Sequence, residues 1–380
     1  MNQTSYLSFV SCAPGLEALL GRELAELGFP GQIKEAGVEV RTTFDGVVGI
    51  ALGSALAEGL RVRLKSFVAR DFGALIEGAG RLPWRAYLQS GAPVRVKVTC
   101  HRSKLWHSGA VEERMLAVLK QRVNASAAES ASEDAALSEQ EEANEPATVF
   151  VRITGDAVQF SVDATGRMHR RGYRTHVERA SLRETLAASL LRVASEARPT
   201  ERPRVIWDPF AGAGTIVCEA ARRYSGISPG RERSFAFEKW PTHDEQTLER
   251  MRSGATHTAS GSAVECIGSD LSERALTAAR HNAELGGVTA STHFLVGDFE
   301  QIAPQVPQGA WLVTNPPYGE RLEQNGLMAR LDRLLQKRRD LRPAVLLVGG
   351  SAKKELPGHF RNAFTTKNGG LDVNVRILER

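Results

Sequence analysis

Four short apolar stretches in the second half of this 380-residue chain end in residues suited to polar ligands. The first runs into Asp208-Pro209-Phe210-Ala211-Gly212-Ala213-Gly214-Thr215. The second ends at Asp270 (IGSD), the third at Asp298 (LVGD), and the fourth at Asn315-Pro316-Pro317-Tyr318. Glycines at a strand-to-helix turn let a ligand approach the backbone, and a helix N-terminus there favours an anionic group. Val217 stands where a dinucleotide fingerprint needs its third glycine, and no Gly-Lys-Ser/Thr follows, so dinucleotide and NTPase readings both weaken. A carboxylate at Asp270 is placed to accept from both hydroxyls of a ribose. One at Asp298 can accept from an adenine amino group. Any single acid here could be a helix cap; three at successive strand ends favour a nucleoside pocket.

The fourth end is the most specific. The Asn315 side-chain oxygen and the Pro316 carbonyl can accept both N–H bonds of a planar exocyclic amine. That draws the nitrogen lone pair out of conjugation and towards an incoming methyl group. Tyr318 supplies a ring on which an extruded base can lie. The prolines fix the turn and remove competing N–H donors. Such a displacement depends on positioning and a pre-oriented electrostatic site rather than on a metal.

The surrounding pattern supplies the elements that must hold these residues. From about residue 180, SLRETLAASLLRVA reads as a helix, RVIWDPFA as a strand and GTIVCEAARRY as a helix. VECIGSD, THFLVGD, AWLVTNPPY and PAVLLVGG follow as strands, and FRNAFTT and LDVNVRILE form an antiparallel pair around KNGG. Short apolar strands alternating with helices predict a doubly wound parallel sheet, whose ligands lie beyond the strand carboxyl ends. The polar stretch 225–262 lengthens the usual spacing between the glycine turn and Asp270. In the first 60 residues Leu16, Leu19, Leu20, Leu24 and Leu27 recur at helical spacing between short alternating strands, which predicts a small α+β unit.

Charge is unevenly spread. The formal net charge is only +5, yet residues 61–123 hold thirteen Lys/Arg against four acids, with Trp84, Tyr87 and Trp106 interleaved. That composition suits phosphate contacts and base stacking. Residues 124–146 carry seven acids and no Lys or Arg, which reads as a flexible insertion. Two alternating strands follow, so the basic unit closes near residue 165.

No apolar run approaches the length that spans a bilayer, and the first residues lack the cationic start of a secretory signal. The four cysteines are scattered, which argues against zinc knuckles and disulfides and makes a reducing cytoplasm the expected compartment. Cys100, His101 and His107 make a poor metal set, so none is expected to bind metal. Cys218 and Cys266 read as buried structural thiols. No G-x-S-x-G turn supports a catalytic serine.

DPFAGAGT, GSD, VGD and NPPYGER resemble the four motifs of class I S-adenosylmethionine-dependent methyltransferases that modify amino groups. HRRGYRTHVERASLRETLAASLL is similar to the linker and first helix of RNA methyltransferases with a THUMP domain. SPGRERSFAFEKWPTHDE and TKNGGLD narrow the likeness to bacterial large-subunit rRNA guanine-N2 methyltransferases. The resemblance implies an α/β chain in three parts. These are a ferredoxin-like α+β unit at 1–62, a THUMP unit at 63–165 carrying the acidic insertion 124–146, and a linker with a Rossmann-like methyltransferase domain at 166–380.

By the same resemblance Asp208, Gly212, Gly214 and Thr215 flank the methionine part of S-adenosylmethionine, and Glu184 and Thr185 its amino-acid end. Asp270 takes the ribose and Asp298 the adenine. Pro209, Phe210, Leu271, Phe299 and Asn315 complete the cofactor site. Asn315, Pro316, Pro317 and Tyr318 receive the guanine, and Arg171 and Arg321 contact RNA or position loops. The expected partner is rRNA or tRNA, with the oligomeric state open. DNA adenine-N6 methylation and a non-catalytic RNA-binding role are the rival readings.

Overall fold

A computed structural model of the chain describes residues 5–128, 145–174, 182–254, 263–317, 326–349 and 359–379. Two sheets divide it. The first comprises β1 (Tyr6–Ser11), β2 (Gln32–Lys34), β3 (Gly37–Thr42), β4 (Gly59–Val68), β5 (Pro93–His101), β6 (Ser126–Ala127), β7 (Ala147–Thr154) and β8 (Ala157–Asp163). Their order across the sheet is β2-β3-β1-β4-β8-β7-β5-β6. Helices α1 (Glu17–Glu26), α2 (Phe44–Gly53), α3 (Phe72–Gly80) and α4 (Ser108–Val123) complete this half. The leucine stripe does what its spacing implies, since Leu16, Leu19, Leu20 and Leu24 are all buried.

The boundary expected at 62/63 falls inside β4. This strand pairs with β1 on one edge, Leu7 opposite Arg63, and with β8 on the other, Arg61 opposite Asp163. The N-terminal unit and the basic unit therefore share one hydrogen-bonded sheet. Of the expected acidic insertion, residues 129–144 lie outside the described residues. On either side of them, Ser126–Ala127 pairs with β5, and Glu145 ion-pairs with Arg167 at 3.2 Å.

The second sheet has the order β11-β10-β9-β12-β13-β15-β14. Its members are β9 (Val205–Asp208), β10 (Glu265–Asp270), β11 (Thr292–Val296), β12 (Trp311–Thr314), β13 (Ala344–Gly349), β14 (Arg361–Asn368) and β15 (Leu371–Leu378). The first five are parallel; β15 runs antiparallel to β13 and closes the expected hairpin with β14 over Gly369-Gly370. Successive residues alternate between two apolar layers. Val205 and Trp207 face the same core as Leu312 and Leu346, while Ile206, Val313 and Val345 face the opposite one. A sheet covered on both faces needs such continuous apolar runs.

Helices α5 (Glu184–Ala197), α6 (Thr215–Tyr224), α8 (Glu273–Leu285) and α10 (Leu327–Lys337) supply the covering layers, with the short α9 (Phe299–Ile302) between them. The strand order reverses between β9 and β12. This is the switch point at which an open α/β sheet leaves a crevice beyond its carboxyl ends.

The polar stretch after α6 braces the two halves. It contains α7 (Glu245–Gly254), which packs on α2. Arg250 pairs with Asp45 at 3.0 Å, the Thr242 hydroxyl donates to the Ala86 carbonyl, and Trp240 meets Tyr87 edge-on at 4.9 Å. Tyr87 is thus an interdomain contact. Trp84 is buried in the core, donating its indole N–H to the Ala79 carbonyl at 2.8 Å. Trp84 cannot stack on a nucleic-acid base as the sequence suggested, and Tyr87 is half-buried against Trp240; of the three interleaved aromatics only Trp106 is exposed.

Candidate active site at the carboxyl ends of the second sheet

The turn after β9 is shaped by two glycines. Gly212 and Gly214 have φ of +52° and +79°, and a side chain at 214 would place its Cβ 2.8 Å from the Ala279 methyl group. Nothing lies within 4 Å of a Cβ at 212, so the loop is open on that side. Gly212 N–H donates to Asp270 Oδ2 at 2.9 Å, and Ala211 N–H donates to the Ser269 carbonyl. The glycine turn and the second strand end are therefore locked together.

Asp208 lies beneath this turn and is 2% exposed. Its Oδ1 accepts the Thr314 hydroxyl at 2.6 Å and the Phe210 N–H at 3.1 Å. Burial pushes its carboxyl up to about 7; the two hydrogen bonds oppose that rise and the nearby Asp270 charge adds to it. A cationic ligand above the turn would favour the ionised form.

Asp270 Oδ1 accepts the Ser272 N–H, so each oxygen keeps capacity for a further donor. Leu271 beside it is 73% exposed, an apolar surface at a polar rim. Asp298 is tied to the same edge, because Gly297 N–H donates to the Asp270 carbonyl. Its carboxylate is more committed than the sequence implied. Asp298 Oδ1 caps α9 through the Glu300 N–H, and both oxygens accept from Arg330, at 2.7 and 2.8 Å. Phe299 is buried between Phe210, 5.3 Å away, and the Arg330 guanidinium, 4.9 Å from its ring centre. Its side chain belongs to the wall behind the crevice.

Asn315 follows Thr314 directly, so the Thr314–Asp208 bond fixes the turn that carries it. Asn315 Oδ1 is buried and has no hydrogen-bond partner among the described residues. A buried acceptor left unmatched is costly, and this one lies next to the glycine turn. Pro316 is buried and Pro317 exposed. Tyr318 and Arg321 lie outside the described residues.

Glu184 and Thr185 open α5, which packs on β12 and α6. Both are buried, and the Thr185 hydroxyl is also without a partner among the described residues. Burial raises the Glu184 carboxyl, and Arg174, 3.3 Å away, opposes the rise. Thr215 begins α6 and is buried. Two unmet buried oxygens and an open glycine turn fit a ligand bearing hydroxyl, amino and cationic groups.

Arg171 is placed where it cannot touch RNA. It is 1% exposed and donates to the carbonyls of Met168 and Ala55, with Nε 3.7 Å from Glu219, which also accepts the Tyr173 hydroxyl. It positions the linker between the halves. A cavity of about 700 Å³ lies elsewhere, along the interdomain seam near Tyr87, Arg167, Lys239 and Trp240. Glu145 answers two of its cations, pairing with Arg167 and accepting from Lys239 through its carbonyl.

Sequence reasoning missed Thr314, Arg174 and Arg330. Thr314 could have been found from its place just before the Asn-Pro-Pro turn. Arg330 lies 32 residues from the acid it holds and carries no local signal.

A family model described as "RMKL-like, methyltransferase domain" matches residues 171–363, and one described as "RlmL ferredoxin-like domain" matches 8–58. The chain is 30% identical over 331 residues to a "Ribosomal RNA large subunit methyltransferase K/L" of Psychromonas ingrahamii, covering 83% of this chain and 41% of that protein. It is 32% identical over 324 residues to the same-named protein of Methylococcus capsulatus, covering 83% and 42%. The chain thus spans less than half the length of these relatives. Among solved structures it matches a possible methylase from Clostridium difficile with a TM-score of 0.81 and 30% identity, covering 99% and 98% of the two chains. SMU.472, a putative methyltransferase complexed with SAH, shares the fold at 24% identity with a TM-score of 0.81, covering 100% of this chain and 99% of that one. The matched half contains every strand end described above, and by that match the chain belongs to the RMKL-like methyltransferase-domain family.

Proposed function

We propose that this protein transfers a methyl group from S-adenosylmethionine to the exocyclic N2 of a guanine in large-subunit ribosomal RNA. The observation that carries the reading is Asn315 Oδ1, a buried acceptor with no partner among the described residues, on the turn that follows β12. A guanine amino group would satisfy it. The names of the K/L relatives favour ribosomal RNA as the substrate.

S-adenosylmethionine supplies a methyl group on a cationic sulfur. Asp208, Gly212, Gly214 and Thr215 would hold the methionine part, with Glu184 and Thr185 at its amino-acid end. Asp270 and Leu271 would hold the ribose side, and Asp298 the adenine, with one acceptor site left over for an amino group. Pro209, Phe210 and Phe299 support the wall.

Asn315 Oδ1 accepts one N–H of the guanine amine, and the Pro316 carbonyl accepts the other. These bonds turn the nitrogen lone pair out of the ring and towards the methyl group. Tyr318 is assigned the face of the base. Asn315 and the Pro316 carbonyl are held for this because their turn is fixed on one side by proline and on the other by the Thr314 bond to Asp208. Once methylated, the cationic amine would release its proton to water, so no strong base is required. Rate enhancement comes from orientation and from acceptors already aimed at the developing positive charge.

In this reading the first sheet's ferredoxin-like and THUMP units dock folded RNA, and the strand ends receive one flipped base. Nucleoside mass spectrometry of ribosomal and transfer RNA from a deletion strain tests it. Loss of one N2-methylguanosine from large-subunit RNA is expected; an unchanged ribosomal profile would overturn the substrate assignment.

A further inference from the structure

The basic unit ends in a loop that the crevice does not use. Residues 101–107 follow β5, and Asp156 ties this loop to two neighbours. Asp156 Oδ1 accepts the Ser103 hydroxyl and the Lys104 N–H, each at 2.8 Å, and its other oxygen is 3.8 Å from Arg70 Nε. The Asp156 carbonyl accepts the Ala69 N–H, and Gly155 N–H donates to the His101 carbonyl. Ser103 Oγ in turn accepts the Leu105 N–H at 3.1 Å. Arg70, Arg102, Lys104 and Trp106 are therefore gathered at one end of the sheet on a braced support.

Trp106 is 74% exposed, an unusual position for the largest apolar side chain. Its ring leans edge-on against His107 at 5.6 Å. His107 is itself fixed, because its Nδ1 accepts the Ala110 N–H and caps α4. The indole thus rests against the residue that caps α4 without being covered. Arg102 stands at φ +48°, in the left-handed region that a non-glycine residue avoids, and its side chain is exposed. Neither Arg102 nor Lys104 makes an ion pair among the described residues. The acids nearby are occupied: Asp156 as above, and Asp71 in capping α3 through the Ala74 N–H.

An open aromatic face beside exposed cations, three of them sharing the single carboxylate of Asp156 at most, matches a single-stranded nucleic acid, which offers base faces and phosphates together. A protein partner would need a broader apolar surface than one indole. We propose that this loop binds an unpaired segment of the substrate RNA, with a base stacked on Trp106 and flanking phosphates on Arg70, Arg102 and Lys104. The inference rests on the RNA reading above, but its site lies apart from the methyl-transfer crevice.

Intrinsic fluorescence gives a direct test. The protein has five tryptophans, and Trp84, Trp207, Trp240 and Trp311 are each 4% exposed or less. A quencher in solution therefore reports on Trp106 alone. Titrating the full chain with oligouridylate is expected to quench its emission saturably, while a duplex of equal length quenches weakly. Trp106→Phe should abolish the quenchable component and keep most of the affinity. Trp106→Ala should weaken oligouridylate binding about tenfold, within the range that base–aromatic stacking supplies. Arg102→Ala with Lys104→Ala should lower the slope of log affinity against log salt by about 1.4, two contacts at about 0.7 each. Thermal midpoints equal to the parent establish that these variants fold.

Saturable binding with unchanged tryptophan emission would overturn the proposal, as would equal affinity in Trp106→Ala. Emission changes seen only with a protein partner would overturn it in favour of a protein contact. If oligouridylate quenches Trp106 but no methyl group reaches ribosomal RNA, the docking site stands and the catalytic reading falls.

Discussion

Asp208 gives the sharpest handle on the crevice, because its carboxyl is held up to about 7 rather than at its ordinary 3.8. The shift is about three units, and at 1.36 kcal/mol per unit it amounts to about 4 kcal/mol in favour of the protonated form. Two consequences follow with defined sign. In the ligand-free protein the folded state binds this proton more tightly than the unfolded chain does. The associated stability is fully present below about pH 4 and is lost as pH rises to 7, a fall of up to about 4 kcal/mol. A cationic ligand above the turn instead prefers the ionised form. Affinity for S-adenosylmethionine should therefore rise about tenfold per unit below pH 7 and level off above it.

Calorimetric titrations between pH 5.5 and 7.5 measure this, with Asp208→Asn as the comparison. The asparagine keeps an oxygen to accept from Thr314 and Phe210 but has no proton to lose. Its affinity should be weaker at pH 7.5 and nearly independent of pH, with only the contribution of Glu184, whose carboxyl is also raised by burial, remaining. An equal slope in both proteins would refute the assignment, and so would a flat profile in the parent.

Other perturbations have distinct readouts. Asn315→Ala should lower kcat by about 100- to 1,000-fold, the usual cost of one pre-oriented polar partner, with the Kd for S-adenosylmethionine within about twofold of the parent. Gly214→Ala places a Cβ 2.8 Å from the Ala279 methyl group at φ +79°, so urea unfolding should register a loss of about 2–4 kcal/mol. Arg330→Ala frees the Asp298 and Glu300 carboxylates it now pairs, and calorimetry should find cofactor affinity reduced about tenfold, with Arg330→Lys only partly restoring it. Arg171→Met leaves Glu219 buried without its cation; denaturant unfolding should report a loss of about 3–5 kcal/mol.

The strand ends were legible because each is a local event. A β-run, a turn residue and a helix start fall within ten residues at Asp208–Thr215 and at Asp270. The two apolar layers of the second sheet followed from the same local pattern. What escaped the sequence was long-range pairing. Thr314 reaches Asp208 across 106 residues and Arg330 reaches Asp298 across 32. Burial also sorted residues that composition treats alike. Trp84 and Tyr87 are taken up by core and seam, Trp106 is left outside, and Arg171 became a buried clamp rather than a surface cation. The sheet shared across position 62/63 was hidden for a related reason, since hydrogen bonding along both edges of β4 has no signature in its own ten residues.

The central claim is that the Asn-Pro-Pro turn presents a guanine amine to the methyl donor. Its most direct test incubates the protein with methyl-labelled S-adenosylmethionine and large-subunit RNA from a deletion strain, then digests the RNA to nucleosides. The account predicts label in N2-methylguanosine with the parent protein and its near-absence with Asn315→Ala. Label in N6-methyladenosine, or equal labelling by the two proteins, would contradict it.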